Sequence, residues 1–407
     1  MLLFNLDRVI LLVLLLTGAC ISHYFGGARH GRWPTIPWKS ARLSGPRSKG
    51  TPHDLVESLP SPKSKEKAQA MLRNVVKICP VCGKACAVTL SNCNSCSADL
   101  THVDESFTEN ALMSFALGIE RTSKYPLTVS VRDQSPSYLC YDDLLAVSPC
   151  HLNVIPTDKY IPDWRWLLTR PTRGLRIIKS LYGIAKRVAV EQFLSNHDYV
   201  REMYSPEVAE QILKDPRSFV EEYAFVGFNY PPSQMQLHLQ FALPPLTPFQ
   251  SYLLGQGQNY PDLRSFDYHY VEEVLESVVK SSQTIDISNL TDAAKLVEHI
   301  REHTGVDYYS HQRKIAAQHT SQNIAVANWK ADNFDFMIVP TSSQTNEDVV
   351  FSLRSGEVVF NVSSTAIVAR DKLTLQNYGR PYSASGEPTG NYYRYAKHPD
   401  SIEDWTN

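Results

Sequence analysis

The chain has 407 residues, of which 43% are hydrophobic and 20% charged, and a formal net charge of −2 at pH 7. This composition is typical of a globular protein and excludes a largely disordered chain. The length exceeds one ordinary hydrophobic core and predicts two or three modules. A net charge this close to zero does not favour nucleic acid as the main partner.

The N-terminal segment, residues 1–26, is predicted to be a targeting or anchoring element. Its uncharged apolar run from Val9 to Ser22 has the length of a signal-peptide core and is short for a spanning helix. It therefore fits an uncleaved signal anchor in the membrane or a cleaved signal peptide, with a buried helix as a third interpretation. Basic residues follow the run: Arg29, Arg32, Lys39 and Arg42. For an anchor they favour a cytosolic location of the remaining chain, whereas a cleaved signal implies the secretory pathway.

Residues 27–70 are predicted to form a basic linker rich in Pro and Ser. From Arg29 to Lys67 there are nine Lys or Arg residues against three Asp or Glu residues. Such a composition favours an extended, solvated segment. A basic stretch beside a membrane can also contact anionic lipid headgroups.

Four of the eight cysteines form a pattern with metal-ligand spacing, CPVC-x10-CNSC: Cys79, Cys82, Cys93 and Cys96. Two CxxC pairs at this spacing can place four thiolates about 2.3 Å from one zinc ion. We therefore predict a zinc ribbon over residues 71–104, which the metal holds folded. The zinc is structural because four cysteines leave no open coordination position. The alternative is a pair of disulfides in a secreted domain, and the ribbon is also a candidate surface for a protein partner.

The segment after the ribbon is predicted to contain strands that flank an amphipathic helix. The helix spans Pro171–Leu194, where apolar residues recur at helical spacing. A second helix begins at Ser205, an N-cap residue that a proline and an acidic residue follow. Four runs have the character of strands: Leu127–Arg132, Tyr138–Val147, His151–Pro156 and Tyr223–Phe228. A turn signal at Asp133–Pro136 separates the first two.

Residues 261–407 are predicted to form a separate C-terminal α+β region. Its predicted helices are Tyr270–Ser281 and Thr291–His303. Its predicted strands, Phe334–Pro340 and Val349–Val368, include a tight turn at Arg354–Gly356.

Polar and apolar residues alternate in the stretch GFNYPPSQMQLHLQFALPP, from Gly227 to Pro245. Period-two alternation predicts a half-buried strand. Its polar face carries three amides and one imidazole: Gln234, Gln236, His238 and Gln240.

This stretch resembles the histidine-triad superfamily, in particular the branch of hexose-1-phosphate uridylyltransferases and diadenosine tetraphosphate phosphorylases. In that branch an Asn-containing strand and a Ser-Gln pair precede a strand that reads His-x-His-x-Gln. The residues that match this pattern are Asn229, Ser233, Gln234, His238 and Gln240. The resemblance implies that His238 is the nucleophile. Gln236 stands where the family has its first histidine.

A second stretch, YDDLLAVSPCHLNVIP, is similar to the acidic strand and the His-x-x-Val-x-Pro strand of the same family. His151 matches the histidine, and Asp142 or Asp143 matches an acidic position near the nucleotide. The resemblance implies an α+β fold over residues 105–260, a HIT-like antiparallel sheet with packed helices. It also implies a set of substrate-binding residues: Asn229, Gln234, Gln236, His151, Asp142 and Asp143.

The implied activity is that of a nucleotidyl transferase, phosphorylase or hydrolase acting on a nucleoside polyphosphate or nucleotide sugar. A neutral imidazole at His238 attacks the α-phosphorus and forms a nucleotidyl-histidine intermediate. Gln240 and Ser233 are candidate donors to the phosphoryl oxygens.

The substitution at Gln236 leaves the identity of a proton donor open. Glutamine donates a hydrogen bond but cannot transfer a proton. The leaving group then departs unaided, or another residue such as His151, His269 or His311 is the acid. The alternatives to an enzyme are a catalytically weak nucleotide-binding module and a membrane-tethered scaffold.

Overall fold

A computed structural model describes residues 50–93, 96, 98–119, 131–143, 148–246, 263–282, 284–288, 290–326, 338–343, 348–353, 358–363 and 395–406. The predicted anchor, the turn at Arg354–Gly356 and residues 127–130 and 144–147 of two predicted strands lie outside these ranges. The described part combines helices with mainly antiparallel sheets, so the fold class is α+β. Within it, every helix is too short or too polar to cross a bilayer.

Two short helices occupy part of the segment for which an extended linker was predicted. Helix α1 spans Pro52–Ser58 and helix α2 spans Pro62–Met71. Both begin in the same way, because Thr51 and Ser61 accept N-cap hydrogen bonds and a proline occupies the first turn. The prediction of an extended chain was therefore wrong here, since these local caps outweigh the basic, proline-rich composition.

The cysteine pairs lie in a small antiparallel sheet with the order β2-β1-β3. Its strands are β1 (Arg73–Ile78), β2 (Ala85–Ala87) and β3 (Glu105–Glu109). The first pair lies in the β1–β2 turn and the second lies between β2 and β3. A short helix, α3 (Ala111–Ala116), follows β3 directly.

The main sheet has six strands in the order β10-β8-β9-β6-β5-β4, and all neighbours are antiparallel. A short strand β7 (Lys159–Tyr160) follows β6. The six strands are β4 (Val131–Ser135), β5 (Tyr138–Asp142), β6 (Cys150–Pro156), β8 (Phe225–Asn229), β9 (Leu239–Leu243) and β10 (Ser265–Asp267). The predicted strands near His151 and Tyr223 are confirmed. The strand expected to include Gln234 and Gln236, however, begins only at Leu239.

The predicted amphipathic helix is confirmed as α4 (Pro171–Val188), which continues as a π-helical turn over Ala189–Leu194. The predicted N-cap at Ser205 is also confirmed, since its hydroxyl accepts from the amide of Val208. The later helices, which include the two predicted after residue 261, are α5 (His197–Met203), α6 (Pro206–Lys214), α7 (Pro216–Tyr223), α8 (Tyr268–Ser281), α9 (Ala293–Thr304) and α10 (Tyr308–Val326).

The two faces of the main sheet have different neighbours. One face packs against α4, since the ring of Tyr182 lies 6.4 Å from that of Phe241. The residues directly opposed to Phe241 on this face are Val226, Leu152 and, one strand further, Asp142. On the other face, Tyr141 contacts Phe115 of α3 edge-on at 5.9 Å. Helix α3 therefore covers the β5 side of the face opposite to α4.

Parts of the C-terminal region belong to the main sheet and its helical layer. Strand β10 pairs with β8, and helix α8 packs on α4. The last described segment also docks on this body, because the fully buried Trp405 donates from Nε1 to the carbonyl of Trp166 at 2.9 Å.

A separate three-stranded sheet corresponds to the strands predicted after residue 334: β11 (Ile338–Ser343), β12 (Asp348–Leu353) and β13 (Val358–Ser363). The last strand, β14 (Glu403–Asp404), pairs in parallel with β7.

Candidate functional site

A row of directly opposed residues crosses the face of the main sheet that lies opposite to α4: Asp267, Gly227, Gln240, Asn153, Tyr141 and Val131. Directly opposed residues project from the same face of a sheet, as do residues two apart on one strand. Residues two positions from this row therefore share its face. They include His238, Asn229, His151 and Asp143, so the register brings most of the predicted site residues to one surface.

The segment that leads into His238 is held to the N-terminal subdomain, by which we mean the described residues from 50 to 119, with helices α1–α3 and strands β1–β3. The side chain of Asn74 accepts from the backbone amide of Met235 at 2.8 Å, and the side chain of Asn110 donates to its carbonyl at 3.0 Å. Gln234 is buried, and its Oε1 accepts from the backbone amide of Ala111 at 2.8 Å. The structure thus uses the amide of Gln234 to dock the loop, not to line the sheet face.

Gln236 is fully buried, and within the described part of the chain its side chain bonds to three backbone groups. Its Oε1 accepts from the amide of Ile161 at 3.0 Å, and its Nε2 donates to the carbonyls of Pro156 at 2.6 Å and Lys159 at 2.8 Å. These groups lie at the end of β6, at the start of β7 and directly after β7. The sequence predicted that the polar residues of the alternating stretch form one strand face. This prediction was wrong. Instead, Gln234 and Gln236 satisfy buried backbone groups on two sides.

The imidazole of His238 has a defined tautomer. Its Nδ1 lies 2.7 Å from the carbonyl oxygen of Gln236. Because a carbonyl oxygen only accepts, Nδ1 carries the proton and Nε2 carries the lone pair in the neutral ring. Burial lowers the pKa of His238 below its usual 6.5, against the opposing effects of this hydrogen bond and of Asp143. The ring is therefore neutral at pH 7.

Gln240 and Asn153 face each other across β9 and β6. The Nδ2 of Asn153 donates to the carboxylate of Asp143 at 2.5 Å. Its Oδ1 is buried and accepts no hydrogen bond from the described residues. Asn153 therefore presents an unused acceptor beside the amide of Gln240.

His151 shares this face but lies at some distance from His238. It is buried and opposite Ala242, and its Nε2 is 3.9 Å from a carboxylate oxygen of Asp143. Ala242 is four residues along β9 from His238, which at about 3.3 Å per residue corresponds to about 13 Å. The two histidines thus lie on one face and not at opposite ends of the molecule.

The two predicted acidic residues lie on opposite faces of the sheet. Asp143 is on the face of His151, whereas Asp142 is opposite Leu152 on the face that packs against α4. There Asp142 forms a bidentate ion pair with Arg132, with both N–O distances 2.7 Å. This buried pair is part of the core, so only Asp143 is placed to approach a ligand on the face of His238.

The remaining predicted residues lie at the edge of this face or outside it. Asn229 is exposed at the end of β8, and extension of the Gly227–Gln240 register by two residues brings it opposite His238. Ser233 is exposed in the loop. His269 is on α8 and His311 on α10, close to carboxylates of α8 (Glu272 and Glu273).

Asn153 is the site residue that the sequence analysis missed. It lies within Cys150–Pro156, whose residues are all buried. An amide inside a buried strand needs hydrogen-bond partners, and this polar position in CHLNVIP is the signal by which the residue could have been found.

The four cysteines with metal-ligand spacing come together and can hold a metal ion. Their ligand atoms all lie within 4.8 Å of one another. Two of the sulfur–sulfur distances are 3.5 Å for Cys79 and Cys96 and 3.6 Å for Cys82 and Cys93. Tetrahedral zinc with bonds of about 2.3 Å requires edges of about 3.8 Å. Gly83 adopts a φ of 69° in the tight turn after the first pair.

No known family, characterised protein or solved structure shows significant similarity to this chain.

We expect Gln236→Leu to lower the free energy of unfolding by about 3 kcal/mol or more. The substitution removes the partners of three buried backbone groups, and each such group costs about 1–3 kcal/mol when unsatisfied. Urea unfolding of the full chain measures the change. Gln211, exposed on α6, is a matched control, and Gln211→Leu should change the free energy by less than about 0.5 kcal/mol. Equal values for the two variants would contradict the structural role of Gln236.

Proposed function

We propose that the chain is a histidine-dependent nucleotidyl transferase, phosphorylase or hydrolase of the histidine-triad type, acting on a nucleoside polyphosphate or nucleotide sugar. The observation that carries the proposal is the hydrogen bond from Nδ1 of His238 to the carbonyl of Gln236. It directs the lone pair of a neutral ring away from the backbone, as a nucleophilic imidazole requires.

The order of the strands supports the same proposal. The two stretches that carry the resemblance form neighbouring strands: YDDLLAVSPCHLNVIP lies in β5 and β6, and the Gly227–Pro245 stretch lies in β8 and β9. Helix α4 connects the two halves in sequence and packs across β6 and β9. A HIT-like arrangement of the sheet is consistent with this order.

The proposed reaction has two displacements at the α-phosphorus. Nε2 of His238 forms a P–N bond while the P–O bond to the leaving group breaks, and the leaving group departs with the electron pair. An acceptor, water or phosphate, then attacks the α-phosphorus and loses its proton. The P–N bond breaks and its electrons return to Nε2. The side chain of Gln236 is buried away from His238, so a leaving group that needs no protonation, such as pyrophosphate, suits this site.

Gln240 is the proposed donor to the phosphoryl oxygens, and Asn153 is the proposed determinant of its orientation. A glutamine amide stabilises an anion only if its NH2 group, and not its carbonyl, faces that anion. The carboxylate of Asp143 only accepts, so it fixes the Nδ2 of Asn153 and leaves Oδ1 toward Gln240. One N–H of Gln240 can bond to this oxygen, and the second N–H then faces the substrate.

The metal of the cysteine cluster is proposed to be structural zinc. Four thiolates suit zinc, and a closed set of ligands leaves no open position for catalysis. The small sheet it stabilises includes Asn74, which holds the loop before His238. Metal binding would therefore support the site indirectly. The ribbon also remains a candidate surface for a protein partner, and the N-terminal segment a candidate membrane anchor.

A weak nucleotide-binding module is the second candidate function. The observation that favours it is the burial of Gln236, because the face lacks a proton donor at that position. Such a module would use Gln240, Asn229 and Asp143 to bind a nucleotide without turnover.

We expect His238 to become labelled when the protein is incubated with nucleoside triphosphates or diadenosine tetraphosphate carrying 32P at the α-position. His238→Asn should abolish labelling and lower turnover at least about 10³-fold, while His197→Asn, at an exposed position of α5, should leave both unchanged. The lowered pKa of His238 keeps the ring neutral as pH falls, so the acid limb of the labelling rate should lie below pH 6.5. Nucleotide binding without a label on His238 would favour the binding module.

We expect Gln240→Ala to lower the labelling rate ~10²-fold, because it removes one oxyanion donor. We expect Asn153→Leu to lower the rate by a similar factor. The double variant Asn153→Leu, Gln240→Ala should be no slower than either single variant, because both substitutions remove the same interaction between an N–H of Gln240 and the phosphoryl oxygens. Rates of His238 labelling, with thermal unfolding as the control for folding, test this coupling. Multiplicative effects would show that Asn153 acts independently of Gln240.

We expect about one zinc per purified chain, and its loss in the variant Cys93→Ser, Cys96→Ser. Cys86 provides a matched control, since its sulfur lies 3.7 Å from that of Cys93 but is outside the group of four. Cys86→Ser should therefore retain the zinc. Elemental analysis after dialysis measures the zinc content of both variants. Zinc loss in Cys86→Ser would mean that the ligands are assigned incorrectly.

A further inference from the structure

A second cluster of metal-ligand side chains lies on α9, outside the candidate site and the cysteine cluster. It consists of His299, Glu302 and His303, whose ligand atoms all lie within 4.8 Å of one another. In a helix, residues three and four apart share one face, and the two imidazole rings are 4.1 Å apart between centroids. The cluster is solvent accessible, with Glu302 and His303 exposed.

A hydrogen bond fixes the tautomer of one of the two imidazoles. Nδ1 of His303 lies 2.7 Å from the carbonyl oxygen of His299. Because this oxygen can only accept, Nδ1 carries the proton, and Nε2 of the neutral ring presents its lone pair to solvent. Metal-bound histidines commonly donate their second N–H to a backbone carbonyl in this way, which fixes the ring and its tautomer.

The position of the cluster in the helix favours a cation. Helix α9 ends at Thr304, and Gly305 follows in the left-handed conformation with a φ of 75°. The last turn of a helix carries the negative end of its dipole, where cations are stabilised. The neighbouring cation, Arg301, is engaged by Glu298 at 2.6 Å and so leaves Glu302 available.

We propose that His299, Glu302 and His303 form a binding site for a divalent first-row transition metal, of the class Zn²⁺ or Ni²⁺. Imidazole and carboxylate ligands suit these ions, whereas Mg²⁺ and Ca²⁺ prefer oxygen ligands alone. Three protein ligands leave positions for water or for a ligand supplied by a partner. The site is thus open, in contrast to the closed set of four thiols, and it does not depend on the proposed enzymatic activity.

Titration of the untagged full chain with NiCl2, after dialysis to about one zinc per chain, tests the proposal, because the thiol site then holds its metal and the solvent-exposed histidine site is empty. Calorimetry should show one binding site, and Ni²⁺ should raise the midpoint of thermal unfolding. His303→Ala should weaken binding at least ~10-fold, and Glu302→Gln should weaken it less. Both side chains are exposed, so the variants should retain the far-UV circular dichroism of the wild-type protein.

Two controls separate this site from binding by surface histidines in general. His197→Ala, at an exposed histidine of α5, and Glu210→Gln, at an exposed carboxylate of α6, should bind Ni²⁺ with wild-type affinity. Equal affinity in His303→Ala and the wild-type protein would overturn the proposal. So would several weak sites that all variants share, or an unfolding midpoint that Ni²⁺ raises equally in every variant.

Discussion

The buried side-chain amide of Gln236 is the constraint on which the candidate site depends. It bonds to the carbonyl at the end of β6, to a carbonyl in β7 and to the N–H that follows β7. The backbone carbonyl of Gln236 accepts from Nδ1 of His238 and thereby sets the tautomer of the ring. One residue therefore fixes both the path of the chain into β9 and the direction of the lone pair at Nε2.

The two faces of the main sheet divide the polar residues between structure and candidate chemistry. The register places Asp142 against α4, where a buried ion pair with Arg132 offsets part of its desolvation and burial still raises the pKa of its carboxyl. On the other face it brings Asp143, Asn153, Gln240 and His238 together. Adjacent aspartates in the sequence thus have different environments, because successive side chains on a strand point to opposite faces.

The N-terminal subdomain takes part in building this face. Asn74 and Asn110 hold both backbone groups of Met235, and α3 covers the β5 side of the sheet. The cysteine cluster and the loop that precedes His238 are therefore connected through β1, which follows α2 and leads into the first cysteine pair. The cysteine cluster can support this loop through β1 without lying in the candidate site.

The sequence by itself determined the features that depend on local chemistry: the spacing of the four cysteines, the stripe of α4, the N-cap at Ser205 and the strand His151–Pro156. Local alternation did not predict the conformation of Gln234 and Gln236, because their amides bond to backbone groups far away in the chain, at Ala111 and Ile161. Only the tertiary structure decided which aspartate shares the face of His238, and that Asn153 lies opposite Gln240. Both outcomes follow from strand register, and pairing between distant segments sets that register.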